Sequence, residues 1–548
     1  MATAEELATQ QREISIAEFF EKNRHLLGFD NQRKALLTTV KEAVDNSLDA
    51  CEEAGILPEL EVEIVDMGND RFRIIVEDNG PGIVKAQIPK IFAKLLYGSK
   101  FFKMAQSRGQ QGIGISASVM YGQLTTGRPA KVTSKTAPNK PANYFELKID
   151  TKKNAAEIVL EEEKEWSKER GTRIEIDLEA SYAKGKQSVD EYLKQTAILN
   201  PHLQLIYANP RGEQYFFPRA SQVAPPTPEE IKPHPYGIEL GMLIKMLGYT
   251  QEKTVLAFLR EEFSRVSNSV ANEILEKARL SPKVKPKAVS RQQAEDMMRG
   301  IRDTKIMAPP TTCISPMGEE LLLKGLKKEI NAEFYTAISR KPAVYRGNPF
   351  VIEAAIAYGG DLKGDGSVDV MRFANKVPLL YQQGACAVTK AVAETNWKSY
   401  GLDQSGNNLP RGPAVVLVHM ASVWVPFTSE AKEAMAHYDD IIKEMKLAVQ
   451  EAGRELQKYT KKKQKIKQEL KKRSYIEKYI PHLASGVTEI LDLDGADHEV
   501  LERNLIGLLE KHRGKLDNVE FDPTKNTEYD EEFAKIGRED DDEPRDDE

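Results

Sequence analysis

The sequence predicts an α+β fold that is divided among several domains. The chain has 548 residues, and at about 100–200 residues per domain this length corresponds to roughly three or four domains. Segments with helical periodicity alternate with strand-like segments, and proline-rich stretches separate them. Hydrophobic residues make up 40% and charged residues 30% of the chain, a balance typical of globular proteins with several cores.

The first predicted domain, residues 1–230, combines a helix with a sheet. Apolar residues recur every three or four positions between 32 and 53, which predicts an amphipathic helix. The alternating segments ELEVEIVDM and RFRIIVED, separated by Gly68-Asn69-Asp70, predict a β-hairpin. The segments ANYFELKID, AEIVLEEE and GTRIEIDLE predict further strands.

Three further segments are predicted beyond a proline-rich boundary. Residues 231–307 predict a small helical domain that contains the basic segment KARLSPKVKPK. Residues 308–480 predict a second α/β domain, with a strand-like AVVLVHMASVWVPF and a long helix from Ser429 to about Tyr479. Residues 481–548 predict a C-terminal extension whose acidic end, EDDDEPRDDE, is expected to be disordered.

The cysteines and the apolar segments favour a protein of the reducing cytoplasm, without a membrane partner. Cys51, Cys313 and Cys386 are far apart and form no CxxC pair, so they fit neither a zinc site nor a disulfide framework. The longest apolar stretch, near residues 415–425, is too short to span a bilayer, and the N-terminus lacks the regions of a signal peptide. The net charge of −6 does not by itself indicate a nucleic-acid partner.

Four polar residues of the first helix fall on a single face, namely Glu42, Asp45, Asn46 and Asp49. This face lies nearly opposite the apolar stripe, so a rigid helix packed on the core would present a carboxylate and an amide to whatever lies above it. A carboxylate can polarise a water molecule, and an amide oxygen suits Mg²⁺. The alternative interpretation is an ordinary solvated face of an amphipathic helix.

Two short motifs accompany predicted strands. Asp78, Gly80 and Gly82 directly follow the strand RFRIIVE, where glycines permit a tight turn and close approach of the backbone to a ligand. The Asp78 carboxylate is suited to accept a hydrogen bond from an exocyclic amine such as that of adenine. Thr172, after Gly171, opens the strand RIEIDLE and can complete a base pocket. An ordinary strand-ending turn is the alternative for the Asp78 motif, and the Gly171-Thr172 dipeptide by itself carries almost no information.

A glycine-rich segment precedes a predicted helix start, and its members are Gly109, Gln110, Gln111, Gly112, Ile113 and Gly114. Free backbone N–H groups and a helix dipole aimed the same way bind phosphates well. No Gly-Lys-Ser/Thr closes the segment, so it is not a Walker A loop, and it lacks the strand–glycine–helix unit of a dinucleotide site. A flexible connector is the alternative.

In combination, these motifs resemble the Bergerat (GHKL) nucleotide-binding fold of gyrase, the heat-shock chaperone, histidine kinases and MutL proteins. The order is E-x-x-D-N-x-x-D-A on a helix, D-x-G-x-G after a strand, G-x-x-G-x-G into a helix, and a G-T strand. The resemblance implies an α/β sandwich ATPase domain that binds ATP and Mg²⁺. It also implies that Glu42 activates the attacking water, Asn46 ligates Mg²⁺ and Asp78 reads the adenine amine.

The resemblance further implies a lid around the phosphates and support for the base. Gly109, Gly112 and Gly114 belong to this lid, and Thr172 supports the base. Ser99 and Lys100, in YGSKF, precede the glycine-rich segment; Lys100 is either part of the lid or a surface residue. Histidine kinases generally lack the glutamate, so Glu42 favours a hydrolase.

Beyond residue 230, the chain resembles the B-subunit family of topoisomerase VI, the archaeal type IIB enzyme. The stretches that carry this resemblance are YRGNPFVIEAAIAYGG, RFANKVPLLYQQGAC and VPFTSEAKEAM, and the similarity covers roughly residues 10 to 480. It implies a helix–two-turns–helix domain at 231–307 and a transducer domain at 308–480. It also implies that Lys432, in FTSEAK, sits in the strand-to-helix turn of the transducer and reaches the γ-phosphate; the alternative is a surface lysine at a helix start.

The family resemblance implies a set of partners. We expect a homodimer that forms on ATP binding, a heterotetramer with a DNA-cleaving A subunit, and double-stranded DNA as substrate. The basic stretch Lys461–Arg473 either follows DNA phosphates or is a solvated helix face. Two alternatives share the fold: a chaperone that clamps proteins, and a mismatch-repair-type clamp or non-hydrolysing module.

Overall fold

The structure is a computed structural model that describes residues 13–100, 103–109, 112–429, 431–491 and 495–513. Gln110 and Gln111, and the acidic end of the chain, lie outside the described residues. Within the described ranges, the elements form an α/β group, a helical group and a second α/β group, in the predicted order. The domain boundaries themselves stay predictions.

The first group is an eight-stranded sheet with helices packed on it. Its strands lie in the order β5-β4-β3-β6-β2-β1-β7-β8, and β1–β7 is a parallel pair. The strands are β1 (Glu59–Asp66), β2 (Arg71–Asp78), β3 (Ala130–Lys135), β4 (Ala142–Asp150), β5 (Ala155–Lys164), β6 (Gly171–Glu179), β7 (Gln204–Ala208) and β8 (Gln214–Phe217). The helices are α1 (Ile16–Lys22), α2 (Gln32–Glu53), α3 (Ile88–Ala93), α4 (Gly114–Thr126) and α5 (Val189–Leu199).

The predicted β-hairpin and first helix both form. Strands β1 and β2 pair antiparallel, and the Asn31 side chain caps α2 by accepting a hydrogen bond from the backbone N–H of Lys34. The apolar stripe of α2 is buried in the first core. Asp45 and Asp49 are also buried, at 2% and 5% exposure. Two of the four polar residues of this face are therefore covered by neighbouring elements, whereas Glu42 is half-buried and Asn46 is exposed.

The helical group has a hydrophobic core of its own. Its helices are α6 (Leu240–Tyr249), α7 (Val255–Glu262), α8 (Asn268–Lys277) and α9 (Arg291–Asp303). Leu243, Phe258 and Ile274 are fully buried at its centre, and Met297 packs against them from α9. A separate core of this size allows the group to pack as a compact unit.

The second α/β group is built on a six-stranded sheet. The strand order is β10-β11-β14-β12-β13, and β9 also pairs with β11. The strands are β9 (Phe334–Ser339), β10 (Ala343–Tyr345), β11 (Asn348–Tyr358), β12 (Asp369–Ala374), β13 (Val377–Pro378) and β14 (Ala414–Ser422). The helices are α10 (Glu319–Glu329), α11 (Ala387–Ala393), α12 (Asp439–Leu491) and α13 (Gly495–Arg513).

The predicted long helix forms, but its bounds differ from the prediction. Helix α12 begins at Asp439, ten residues after Ser429, and continues to Leu491. The segment before it folds back on itself through a bridge between Phe427 and Met435. Lys432 has a φ of +53°, a left-handed conformation that no helix tolerates in its interior. This segment therefore forms a loop between β14 and α12, and Lys432 lies in it.

None of the helices in the described ranges is both long enough and apolar enough to cross a membrane.

Candidate functional site

A cavity of about 610 Å³ opens between α2, the end of β2 and the start of α4. Its volume lies within the range of about 300–1,000 Å³ that is typical of small-molecule sites. Most of the residues singled out from the sequence line it: Glu42, Asn46, Asp78, Gly82, Ser99, Lys100, Gly109, Gly112, Ile113, Gly114, Thr172 and Lys432. Gly80 does not line the cavity, and Gln110 and Gln111 fall outside the described residues.

Asp78 lines the cavity and is held by three hydrogen bonds. Its Oδ1 accepts from the backbone N–H groups of Gly80, at 2.9 Å, and Thr172, at 3.0 Å. Its Oδ2 accepts from the Ser47 hydroxyl at 2.7 Å. Burial raises the pKa of the Asp78 carboxyl, and these hydrogen bonds oppose that shift. Oδ2 keeps one lone pair that is free to accept from a ligand.

Sequence reasoning missed Ser47, although it directly follows Asn46 on the same helix. Its hydroxyl fixes the rotamer of Asp78, so α2 supplies Ser47 as well as Glu42 and Asn46 to the cavity. A sequence signal was present, because Ser47 stands beside the metal-ligand candidate Asn46 and its hydroxyl can donate a hydrogen bond. The sequence does not show, however, how close α2 lies to the end of β2.

Gly82 and Gly114 occupy places where no side chain fits. Gly82 has a φ of +70°, and a Cβ there would lie 2.1 Å from the Lys135 carbonyl oxygen. A Cβ on Gly114 would lie 1.7 Å from Oε2 of Glu42. The Glu42 carboxylate therefore touches the first residue of α4, and only a glycine permits this approach.

Glu42 and Lys432 lie close together in the wall of the cavity. Nζ of Lys432 lies 4.0 Å from Oε1 of Glu42 and donates a hydrogen bond of 2.9 Å to the Arg108 carbonyl oxygen. Lys432 is 5% exposed. Helix α4 starts beside them with no side-chain cap on its N-terminus among the described residues. A carboxylate, an ammonium and a helix N-terminus thus converge on one space, which suits a polyphosphate.

Asn46 is exposed to the cavity and faces the glycine-rich segment. Its Oδ1 is 3.7 Å from the position that a Cβ on Gly109 would occupy. The described residues contain no group of three or more His, Cys, Asp or Glu side chains that would hold a metal alone. A single amide oxygen beside a phosphate site fits Mg²⁺, which is usually held by one or two protein ligands together with phosphate oxygens and water.

Asp45 and Asp49 have structural partners and do not line the cavity. Oδ1 of Asp45 accepts a hydrogen bond of 2.8 Å from the Tyr192 hydroxyl, and burial raises its pKa to about 6. Asp49 pairs with Lys100 at 2.6 Å and with Arg108 at 2.9 Å. Lys100 therefore lines the cavity while its ammonium is bound to Asp49.

Arg108 was also missed from the sequence, although it immediately precedes Gly109. Its guanidinium is buried and binds Asp49, Glu52 at 2.6 Å and Asn200 at 2.7 Å. Its carbonyl oxygen is the acceptor for Lys432. Arg108 therefore ties the start of the glycine-rich segment both to α2 and to the loop before α12.

Comparison with known proteins first identifies the class of the site. Residues 31–181 match the family model described as histidine kinase-, DNA gyrase B- and HSP90-like ATPase. This range contains α2, the end of β2, the glycine-rich segment and Thr172. The cavity thus belongs to an ATPase domain of the GHKL class, which binds ATP. Residues 309–472 match the model of the topoisomerase VI B subunit transducer.

Relatives identify the family. The B subunit of type 2 DNA topoisomerase 6 from Methanosarcina mazei is 50% identical over 93% of this chain and 82% of its own length. The corresponding protein from Methanococcoides burtonii is 52% identical over 92% of this chain and 82% of its own length. The corresponding protein from Archaeoglobus fulgidus is 49% identical over 92% of this chain and 84% of its own length.

The chain belongs to the family of type 2 DNA topoisomerase 6 B subunits, and it is the ATPase subunit of a type IIB DNA topoisomerase. The predicted family and fold class are confirmed, and the chaperone and mismatch-repair alternatives are set aside. The roles of individual site residues stay predictions.

Proposed function

We propose that ATP binds in the cavity with its base at Asp78 and its triphosphate between Asn46 and the start of α4. The observation that carries this proposal is the convergence of Glu42, Lys432 and the α4 N-terminus on one cavity that Asp78 also lines. The free lone pair of Asp78 accepts from the adenine amine, and Thr172 lies beside it. Gly112 and the start of α4 would bring main-chain N–H groups toward the phosphates. Gly109 lines the same part of the glycine-rich segment, with its own N–H donating to Oδ2 of Asp49 at 3.4 Å.

Mg²⁺ belongs at Asn46, where it would neutralise phosphate charge. Asn46 and Glu42 both line the cavity from α2, and we assign metal binding to Asn46 and activation of water to Glu42. Asn46 would hold Mg²⁺, which would supply charge neutralisation, and Glu42 orients the attacking water and accepts its proton. Since Glu42 touches Gly114, its carboxylate is held in one place relative to α4.

Lys432 acts as the sensor of the γ-phosphate. Its ammonium is held by the Arg108 carbonyl oxygen and lies 4.0 Å from Glu42, so it can reach a phosphate oxygen between them. Hydrolysis removes that charge, and the loop before α12 is then free to shift. The long helix α12 carries the movement away from the cavity.

We further propose that ATP binding closes a homodimer around a DNA segment. Helix α1 and the turn after it expose Ile16, Phe19 and Leu26, which supplies apolar surface for a second copy. A heterotetramer with a DNA-cleaving A subunit then passes one duplex through another, in the cytoplasm. The basic segments of the chain, KARLSPKVKPK and Lys461–Arg473, supply phosphate contacts.

The test is Glu42→Ala in the full chain. ATP binding and ATP-dependent dimerisation should persist, while turnover falls below detection because the water loses its base. Binding is measured with a fluorescent ATP analogue, dimerisation by light scattering, and turnover by phosphate release. Supercoil relaxation is then assayed with the A subunit, with and without ATP. Normal turnover in Glu42→Ala would contradict the assignment of the base.

A further inference from the structure

A tight turn of the second sheet reaches into the ATPase domain. Strands β12 and β13 are joined by Asn375 and Lys376, whose φ angles are +48° and +67°. Two consecutive left-handed residues define the type I′ turn that suits a two-residue hairpin. Hairpin turns normally lie on the surface, but Asn375 and Lys376 are 3% and 4% exposed. Asparagine tolerates this conformation well, whereas lysine is unusual in it.

The Asn375 side chain joins the glycine-rich segment to β14. Its Nδ2 donates to the carbonyl oxygens of Ser107, at 3.1 Å, and of Ser422, at 2.8 Å. Its Oδ1 accepts from the backbone N–H of Ser422 at 2.9 Å. The Ser107 hydroxyl in turn donates to the carbonyl oxygen of Gly109, which lines the ATP cavity. The Asn375 amide therefore links the second sheet to Ser107, two residues before the lid glycine Gly109.

The Lys376 side chain joins the same turn to the end of α2. Its ammonium lies 3.2 Å from Glu52 and donates to the Ser315 hydroxyl at 3.1 Å. Burial acts to raise the pKa of Glu52, but the charges of Arg108 and Lys376 hold it well below its usual value. Glu52 is therefore an ionised partner shared by Arg108, at the glycine-rich segment, and Lys376, at the second sheet.

The turn is rigidly attached to the interior of its own sheet. The backbone N–H of Lys376 donates to Nε2 of His419 at 3.0 Å, and Nδ1 of His419 lies 2.7 Å from Glu353. This pattern assigns the proton of the neutral ring to Nδ1. Glu353 also accepts from the backbone N–H groups of Met317 and Gly318. Since His419 and Glu353 are fully buried, the turn moves with β11 and β14 as one body.

We propose that the Asn375–Lys376 turn is a positioning element for ATP hydrolysis, which aligns the glycine-rich segment and α2 with the second sheet through contacts additional to the Lys432–Arg108 hydrogen bond. This inference rests on the proposed function of the cavity. Neither residue lines the cavity, so the turn acts through Ser107 and through the Glu52–Arg108 pair. Loss of the turn's contacts should therefore misplace catalytic groups more than it weakens ATP binding.

Asn375→Gly in the full chain tests the proposal, because glycine keeps the left-handed backbone and removes only the amide. We expect kcat for ATP to fall about tenfold while KM stays within about twofold. The matched control is Asn69→Gly, in the exposed β1–β2 turn with a φ of +53°, which should leave both constants unchanged. Lys376→Met should lower kcat in the same way, and Lys376→Arg should restore most of it because it returns the charge.

The outcomes distinguish a positioning role of the turn in ATP hydrolysis from a role in folding alone. If Asn375→Gly and Lys376→Met both keep wild-type kcat, the proposal is overturned. It is also overturned if thermal melting shows that the fall in kcat reflects only a loss of folded protein. A third contrary outcome is a kcat in Lys376→Arg that is as low as in Lys376→Met. If Asn375→Gly does not fold, the Lys376→Met and Lys376→Arg pair decides. Absence of ATP hydrolysis in the unaltered chain would instead refute the proposed function.

Discussion

Gly114→Ala is expected to abolish most ATP turnover without harming the fold. A Cβ at position 114 would lie 1.7 Å from Oε2 of Glu42, whereas nonbonded atoms need about 3.5 Å. The carboxylate must therefore retreat by roughly 1.5–2 Å. A misplacement of 1 Å can cost about 100-fold in rate, so kcat should fall by at least ~100-fold, or about 3 kcal/mol in activation free energy.

The same substitution should leave stability nearly unchanged or slightly higher. Gly114 begins α4 with an ordinary φ, and alanine is favoured over glycine in helices by about 0.5–1 kcal/mol. The matched control is Gly248→Ala in α6, where a Cβ meets no heavy atom within 4 Å. Steady-state phosphate release and thermal melting are measured for both variants. A Gly114→Ala protein that keeps kcat within twofold of the unaltered chain would refute the placement of Glu42 against α4.

Two further predictions concern the metal and a buried acid. Asn46→Ala should raise the Mg²⁺ concentration needed for half-maximal ATPase activity about tenfold or more, because the loss of one ligand typically costs 1–3 kcal/mol; an unchanged Mg²⁺ titration would exclude this ligand. Asp45 has its folded pKa raised from 3.8 to about 6 by burial, so the folded state binds the proton more tightly than the unfolded state. Its contribution therefore makes the free energy of unfolding fall as pH rises from about 4 to 6, by roughly 3 kcal/mol at most. In denaturant titrations, the free energy of unfolding of Asp45→Asn should fall less between these pH values. An identical pH dependence in both proteins would contradict the raised pKa of Asp45.

Local sequence patterns were sufficient for the elements that depend on near neighbours. The β1–β2 hairpin follows from alternation interrupted by turn residues, and α2 follows from its apolar period and the Asn31 cap. The same local logic failed before α12, where the left-handed Lys432 and a backbone bridge replaced the predicted start of the helix. Helical periodicity does not reveal where a chain folds back on itself.

The candidate site was recoverable only in part. The order of the four motifs predicted which residues line the cavity, because each motif is a short segment with its own backbone requirement. The direction of each side chain was not recoverable: Asp45 and Asp49 share a face with Glu42 in the helical projection but bind Tyr192 and Arg108. Burial by α5 and by the glycine-rich segment decided which of the four polar residues stayed available to a ligand.

The sequence alone therefore determined the class of protein, the order of its segments and the residue types of the nucleotide site, since these depend on local spacing and backbone freedom. Only the tertiary structure decided that Lys432 lies 4.0 Å from Glu42 and that the Asn375–Lys376 turn reaches Ser107 and Glu52. These contacts join residues hundreds of positions apart. Two of them, Lys432–Glu42 and Lys376–Glu52, pair charged groups that are largely buried, and buried charges are stable only when paired. The Asn375–Ser107 contact satisfies buried polar groups in the same way.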